Sequence, residues 1–254
     1  MKNHAEALIF HKTSCAGASQ LVLVADANLI FASPRRDKRS GMEKNTMMTE
    51  QSMKTFLETL SSSAPVPGGG GASAYAAALG MALGSMVANL TTGKKKYAQY
   101  QQELEEVIEK AKTLTDTLAS YMDKDAEAFE PLSKAYGLPK NTPEEQAARD
   151  EVLERCLAAA SETPLELMGQ ILEAMKLLDR LSVIGSNLAI SDVGVGIQMA
   201  KAALNGASLN VFINTKLMKN MVVAEDMNMR ADQMLIKGNE LADSVFEAVM
   251  DKIR

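Results

Sequence analysis

Between Ser61 and Gly93 the chain carries no charged residue, and this stretch constrains the fold more than any other feature. It opens on Ser61-Ser62-Ser63-Ala64-Pro65-Val66-Pro67, passes through four consecutive glycines, Gly68 to Gly71, and continues as an Ala-, Gly- and Leu-rich run from Ala72 to Leu90. A helix with no charged face must be buried on nearly every side. Its length invites a membrane-spanning reading. However, the run is built on Ala, Gly and Ser and carries Tyr75, Ser85 and Asn89, which makes it weakly apolar for that role, so no membrane association is expected. Ala72, Ala76, Gly80, Gly84 and Ala88 form a ribbon of small side chains at i, i+4 spacing, along which another helix can approach backbone to backbone. The ribbon predicts a central packing helix, or a seam at a dimer axis.

The composition points the same way. Aromatic residues make up 4% and Trp is absent, while strong helix formers abound and β-branched runs are scarce. The fold expected is all-α, a compact bundle of long antiparallel helices around the buried Ala/Gly-rich one. With 254 residues, 46% of them hydrophobic, such a bundle needs no staples.

A formal net charge of -5 leaves no basic face broad enough for a phosphate backbone, so nucleic acid is not an expected partner. Cys15 and Cys156 cannot make a disulfide framework; each reads as a lone buried thiol in a reducing cytoplasm. Both histidines, His4 and His11, lie at the extreme N-terminus. Chemistry in the rest of the chain must therefore run on carboxylate, lysine, tyrosine and backbone dipoles, and no Cys/His spacing supports a transition metal. A metal-free protein is expected.

Residues 1 to 48 differ from the rest of the chain. They hold a short apolar patch, Leu21 to Val24, and the polar run Ser33-Pro34-Arg35-Arg36-Asp37-Lys38-Arg39-Ser40-Gly41, with no sustained helical period. Glu6, His11 and Lys12 break the apolar stretch that a secretory signal requires. Met42, Met47 and Met48 stand just before the first convincing helix, and Lys38-Arg39-Ser40 is compatible with a purine-rich ribosome-binding sequence. The expectation is a non-native or disordered extension produced by a misplaced start codon, dispensable for activity, followed by a single helical domain over 49–254.

From Ser52 onward the pattern is regular. Met53, Phe56, Leu57 and Leu60 predict a short helix before the Pro-rich break. A long one is predicted from about Tyr97 to Leu132, its inward stripe being Leu104, Ile108, Ala111, Thr115, Leu118, Met122, Asp125, Phe129 and Leu132. After a break at Gly137-Leu138-Pro139, Thr142-Pro143-Glu144-Glu145 combines an N-cap Thr, Pro at the first position and Glu at the third. Thr163-Pro164-Leu165-Glu166 repeats the device and predicts a restart. Between Leu181 and Thr215 the only charges are Asp192 and Lys201, which predicts a second interior helix pair; Asn220 to Arg254 is amphipathic.

Within the long helix, Asp125 shares the buried stripe, whereas Asp123, two residues away, points to the other side. An inward carboxylate needs a capping bond, an ion pair or a function, and position alone leaves all three open. The Gly68 to Gly71 loop sets backbone N–H groups at a helix start, where a ligand can approach; a flexible turn into a buried helix explains it equally well, and neither a preceding strand nor a following Gly-Lys-Ser/Thr supports a nucleotide loop. Lys94, Lys95 and Lys96 complement the negative end of the buried helix, or else meet a carboxylate-bearing substrate tail. Asn187, Asp192, Asn210 and Asn214 are polar groups in an apolar region, suited to structural hydrogen bonds or, jointly, to lining a pocket.

Taken together, Ser63-Ala64-Pro65 with Pro67-Gly68-Gly69-Gly70-Gly71, Leu90-Thr91-Thr92-Gly93-Lys94-Lys95-Lys96-Tyr97, Asp125-Ala126-Glu127-Ala128-Phe129, Tyr136-Gly137-Leu138-Pro139-Lys140-Asn141-Thr142, Ile190-Ser191-Asp192 and Leu209-Asn210-Val211 resemble the cyclodeaminase/cyclohydrolase family of folate one-carbon enzymes. Order and spacing match over about residue 52 to the C-terminus, with Gly185-Ser186-Asn187 standing where many members have Gly-Asn directly. The resemblance implies an all-α fold, a homodimer and a tetrahydrofolate substrate with no further cofactor. It places the family's catalytic aspartate at Asp125. It also implies folate contacts from Pro67, Gly68, Gly69, Gly70 and Gly71, from Lys94, Lys95 and Lys96, and from Asn187, Asp192 and Asn210.

Two activities share such a site: hydrolysis of 5,10-methenyltetrahydrofolate to 10-formyltetrahydrofolate, and cyclodeamination of 5-formiminotetrahydrofolate with loss of ammonia. Each passes through a tetrahedral carbon and needs one proton shuttle, a task for a single positioned carboxylate. A formimino substrate needs a separate transferase to load it, and residues 1–48 are too short to be one, which favours the cyclohydrolase. A catalytically silent module binding folate or a protein through the glycine loop is the reading from another class.

Overall fold

The computed structural model describes residues 47–254; the expectation for the segment before Met47 lies outside the described residues. Those described residues form α1 (Met53–Leu60), α2 (Gly69–Thr91), α3 (Gln101–Tyr136), α4 (Pro143–Ile184), α5 (Ile190–Thr215) and α6 (Met221–Ile253), with short 3-10 turns at Met48–Glu50, Lys95–Tyr100 and Asn187–Ala189. No strand occurs among the described residues, and the fold is all-α.

Local chemistry sets the ends. Ser52 caps α1 by accepting from the Thr55 N–H at 3.0 Å. Thr142 and Glu145 close a reciprocal capping box around Pro143 at the start of α4. Gly93, at φ 79°, makes the turn that ends α2, a conformation glycine adopts without strain.

α2 packs against α3, α4 and α5. Among the described residues it alone has the length and apolarity of a bilayer span, yet Ala74, Ala77, Met81, Val87 and Ala88 are fully covered by its neighbours. α5 runs antiparallel to it, Gly69 lying beside Asn210, Ser73 beside Gly206 and Thr91 beside Ser186. At the crossing the two backbones touch: a Cβ on Gly80 would fall 2.7 Å from the Gly196 carbonyl, and one on Gly196 would fall 2.8 Å from that of Gly80. α4 closes the core with Leu165, Met168, Ile171, Met175 and Leu178, and α6 packs outside α4 and α5.

Three expectations need correction. The Thr163-Pro164 device does not restart a helix; α4 runs unbroken from Pro143 to Ile184. Pro164 supplies no N–H to the Ala160 carbonyl four residues earlier, and the Asn214 side chain takes that carbonyl at 3.1 Å from α5, so the helix continues through the proline. Leu181 to Thr215 is not a helix pair in itself but the end of α4, a turn and one uninterrupted helix. Its glycines sit where neighbours press closest, Gly194 on Val249, Gly196 on Gly80 and Gly206 on Ser73, so contact offsets their backbone entropy. The long helix begins at Gln101, because Tyr97 leaves helical geometry at φ -111°, and it extends past Leu132 to Tyr136.

Candidate functional site

The start of α2 meets the middle of α3 at Asp125. Gly68 caps α2 without a side chain, and the Gly71 N–H donates to Asp125 Oδ2 at 3.0 Å. Gly70 lies so close that a Cβ there would fall 2.0 Å from Asp125 Oδ1, so the carboxylate occupies the space a side chain would need. The glycine run is thus a seat for Asp125 as well as a turn. Gly69 and Gly70 also bring first-turn N–H groups, which have no acceptor within the helix, to the same place.

Asp125 is half-buried. Burial pushes its carboxyl above the usual aspartate value, and the Gly71 hydrogen bond partly opposes the shift. Together with Pro65, Val66, Gly68, Gly69, Phe129, Ala160, Asn210, Ile213 and Asn214, it lines a cavity of about 210 Å³. It is the one ionisable side chain of that set, and no cationic side chain shares the lining with it. A carboxylate so placed can accept a proton and attract a positive charge.

Asp123 faces elsewhere. Its Oδ1 accepts from the Met48 N–H at 2.8 Å, its Oδ2 is buried with no partner, and it lines a second cavity of about 670 Å³ with Pro67, Glu127, Glu130 and Lys134. Pro65, Val66 and Phe129 border both spaces.

The other expected contact residues gather at the far end of α2, about 34 Å away at 1.5 Å per residue over its 23 residues. There Lys94 Nζ donates to Ser186 Oγ at 3.0 Å, the Ser186 N–H donates to Thr91 Oγ1 at 2.8 Å, and the Asn187 N–H donates to the Tyr97 hydroxyl at 3.1 Å. The Asn187 N–H, helped by Ser186, Lys96 and Lys94, holds the Tyr97 phenol below its ordinary value. Lys95 and Lys96 are exposed, and Asp192 sits half-buried in the first turn of α5 at this same end.

Within one chain, therefore, Gly68 to Gly71, Asp125 and Asn210 come together, with Pro67 beside them, while Lys94, Lys95, Lys96, Asn187 and Asp192 form a separate group. Sequence reasoning named Tyr97 within a motif and Ser186 as a departure from one but gave neither a contact, because their roles depend on the α4–α5 turn folding back onto the end of α2. Ser186 stands between Gly185 and Asn187 and anchors that turn through Lys94 and Thr91. Among the described residues no three His, Cys, Asp or Glu side chains gather as metal ligands would.

Residues 52–233 match the family described as Formiminotransferase-cyclodeaminase. A methenyltetrahydrofolate cyclohydrolase of Methylorubrum extorquens is 40% identical over 207 residues, 82% of this chain and 100% of that protein. The formimidoyltransferase-cyclodeaminase of Mus musculus is 33% identical over 196 residues, 77% of this chain but 36% of the mouse protein. The solved structure of a formiminotetrahydrofolate cyclodeaminase from Thermotoga maritima superposes with a TM-score of 0.68 at 25% identity, covering 80% of this chain and 96% of that one.

Proposed function

We propose, from the premise that this chain belongs to the formiminotransferase-cyclodeaminase family, that it is a folate one-carbon enzyme hydrolysing 5,10-methenyltetrahydrofolate to 10-formyltetrahydrofolate. The observation that carries the reading is Asp125: a raised, otherwise unpaired carboxylate held by the α2 N-terminus at a cavity with no other ionisable side chain. The 40% identity spanning the whole of a cyclohydrolase favours hydrolysis over cyclodeamination.

The steps follow from that geometry. Water adds to the cationic methenyl carbon between N5 and N10, and Asp125 takes one of its protons. The carbinolamine then breaks its bond to N5 as Asp125 returns that proton to N5; the hydroxyl proton leaves to solvent as the formyl carbonyl forms on N10. The negative carboxylate favours the cationic ground state and the positively charged approach to the first transition state. The reaction as written uses no cofactor beyond the folate. Cyclodeamination needs the same shuttle, with N10 as nucleophile and ammonia as leaving group, and the cyclodeaminase relatives keep it as the second reading.

A homodimer belongs to this proposal. The two groups of expected contact residues lie farther apart in one chain than a folate monoglutamate reaches. Both ends belong to the antiparallel pair α2/α5, which also exposes Leu79, Met86 and Leu90 on α2 and Val195, Leu209 and Ile213 on α5. A second copy related by a two-fold axis across the middle of that pair would cover these side chains and bring its own Lys94 and Asn187 end over Asp125.

Purified protein, given each substrate separately, tests the reaction. Loss of methenyl absorbance well above the uncatalysed rate is the expected result. Rapid ammonia release from 5-formiminotetrahydrofolate, with methenyl hydrolysis at the background rate, would reverse the order of the two activities.

A further inference from the structure

The cavity beside Asp125 carries two amides whose orientation is fixed from behind. Asn210 and Asn214 stand one turn apart on α5 and both line it. Asn210 Nδ2 donates to the Gly206 carbonyl at 3.0 Å, and Asn214 Nδ2 donates to the Ala160 carbonyl at 3.1 Å. The second bond exists because Pro164 leaves that carbonyl without its helical donor. Each amide nitrogen thus spends one of its two N–H groups on backbone, and neither Oδ1 accepts a bond from any described residue. The cavity wall presents, beside the Asp125 carboxylate, two unpaired amide oxygens, each with one amide N–H left next to it.

We propose that Asn214, together with Asn210, determines specificity by pairing with the edge of the reduced pterin ring on which the 2-amino group and the ring N8–H flank N1: the amide oxygens accept from the two donors and a remaining amide N–H donates to N1. This rests on the folate reading of the site and extends it to a residue outside the expected contact set. Two unpaired amide oxygens favour an edge that carries donors for them, because a ligand lacking one of those donors leaves an amide oxygen desolvated and unpaired. Pro164 is then a positioning residue: by freeing the Ala160 carbonyl, it gives the Asn214 amide a backbone acceptor that fixes its orientation and leaves its oxygen unpaired.

The test pairs a variant with an altered substrate. The 2-desamino-2-methyl analogue of 5,10-methenyltetrahydrofolate lacks one donor; the unmodified enzyme is expected to lose roughly tenfold or more in kcat/KM on it. Asn214→Ala is expected to raise KM for the normal substrate by about tenfold, with kcat within about threefold, and to shrink the analogue penalty to about threefold or less. Because Asn214 also serves the Ala160 carbonyl, the comparison is repeated with Pro164→Ala, which restores a helical N–H there and separates loss of the α4 bond from loss of the acceptor. Asn214→Asp in that background keeps an acceptor oxygen and should keep the discrimination. An equal analogue penalty in the unmodified enzyme and in both Asn214→Ala proteins, or none in the unmodified enzyme, overturns the proposal while leaving the hydrolysis intact. Failure of the unmodified enzyme to turn over the normal substrate overturns the folate reading itself.

Discussion

Asp125 carries opposite demands on stability and turnover. Its folded value lies above the unfolded one, so its contribution to stability is fully present below the unfolded pKa and is lost as pH rises through the folded value. Burial thus makes the fold hold the ionised form of this carboxylate at a cost. An asparagine in its place would keep the shape and an oxygen to accept from Gly71, so Asp125→Asn should melt at or above the parent temperature at neutral pH, with the advantage shrinking towards acid, while turnover falls about 100-fold or more. Calorimetry beside an absorbance assay checks both halves; near-normal turnover would make Asp125 structural. The same raised value predicts that activity in the parent declines on the acid side at a higher pH than an exposed aspartate would give. Gly70 tests the seat: Gly70→Ala should keep the helical circular dichroism spectrum and lose most activity, because the new methyl must expel the carboxylate. Periodicity made Asp125 legible, since it shares a stripe with Leu118, Met122 and Phe129. That Gly70 makes room for it was not, because the contact joins two helices and four consecutive glycines read equally as a loop.

At the scale of helices, the α2/α5 crossing fixes the bundle. Gly80→Ala places a methyl on the Gly196 carbonyl, backbone against backbone, where no side chain can yield. The expected loss is about 1–3 kcal/mol, a fall in melting temperature of roughly 3–10 °C. Thermal denaturation of the variant measures it, and an unchanged midpoint would mean that the helices separate more easily than their contact suggests. The missing charges and the i, i+4 small residues made α2 readable as a packing helix, and capping chemistry placed Thr142 to within a residue. Pro164 misled for a physical reason: a proline after a threonine carries the same local signal at a helix start as within a helix, and what decides is Asn214, fifty residues away. Tertiary repair of a backbone bond leaves no trace in local propensity.

For the whole molecule, the decisive question is whether two chains build one site. An Asp125→Asn subunit and a Lys94→Ala subunit, each impaired alone, should regain about a quarter of native activity when mixed and re-equilibrated, because half the dimers are hybrids with one intact site of two. No recovery above the two separate proteins would confine each site to a single chain. Sequence could name both groups of residues but not their separation, since the distance is the length of α2 and depends on that run forming one unbroken helix. The charge inventory of the cavity has a further consequence. Asp125 is its one ionisable side chain, the methenyl substrate is a cation, and the formyl product has lost that charge. The attraction that draws substrate in disappears when the reaction is complete, so the same group that moves the proton also lets the product go.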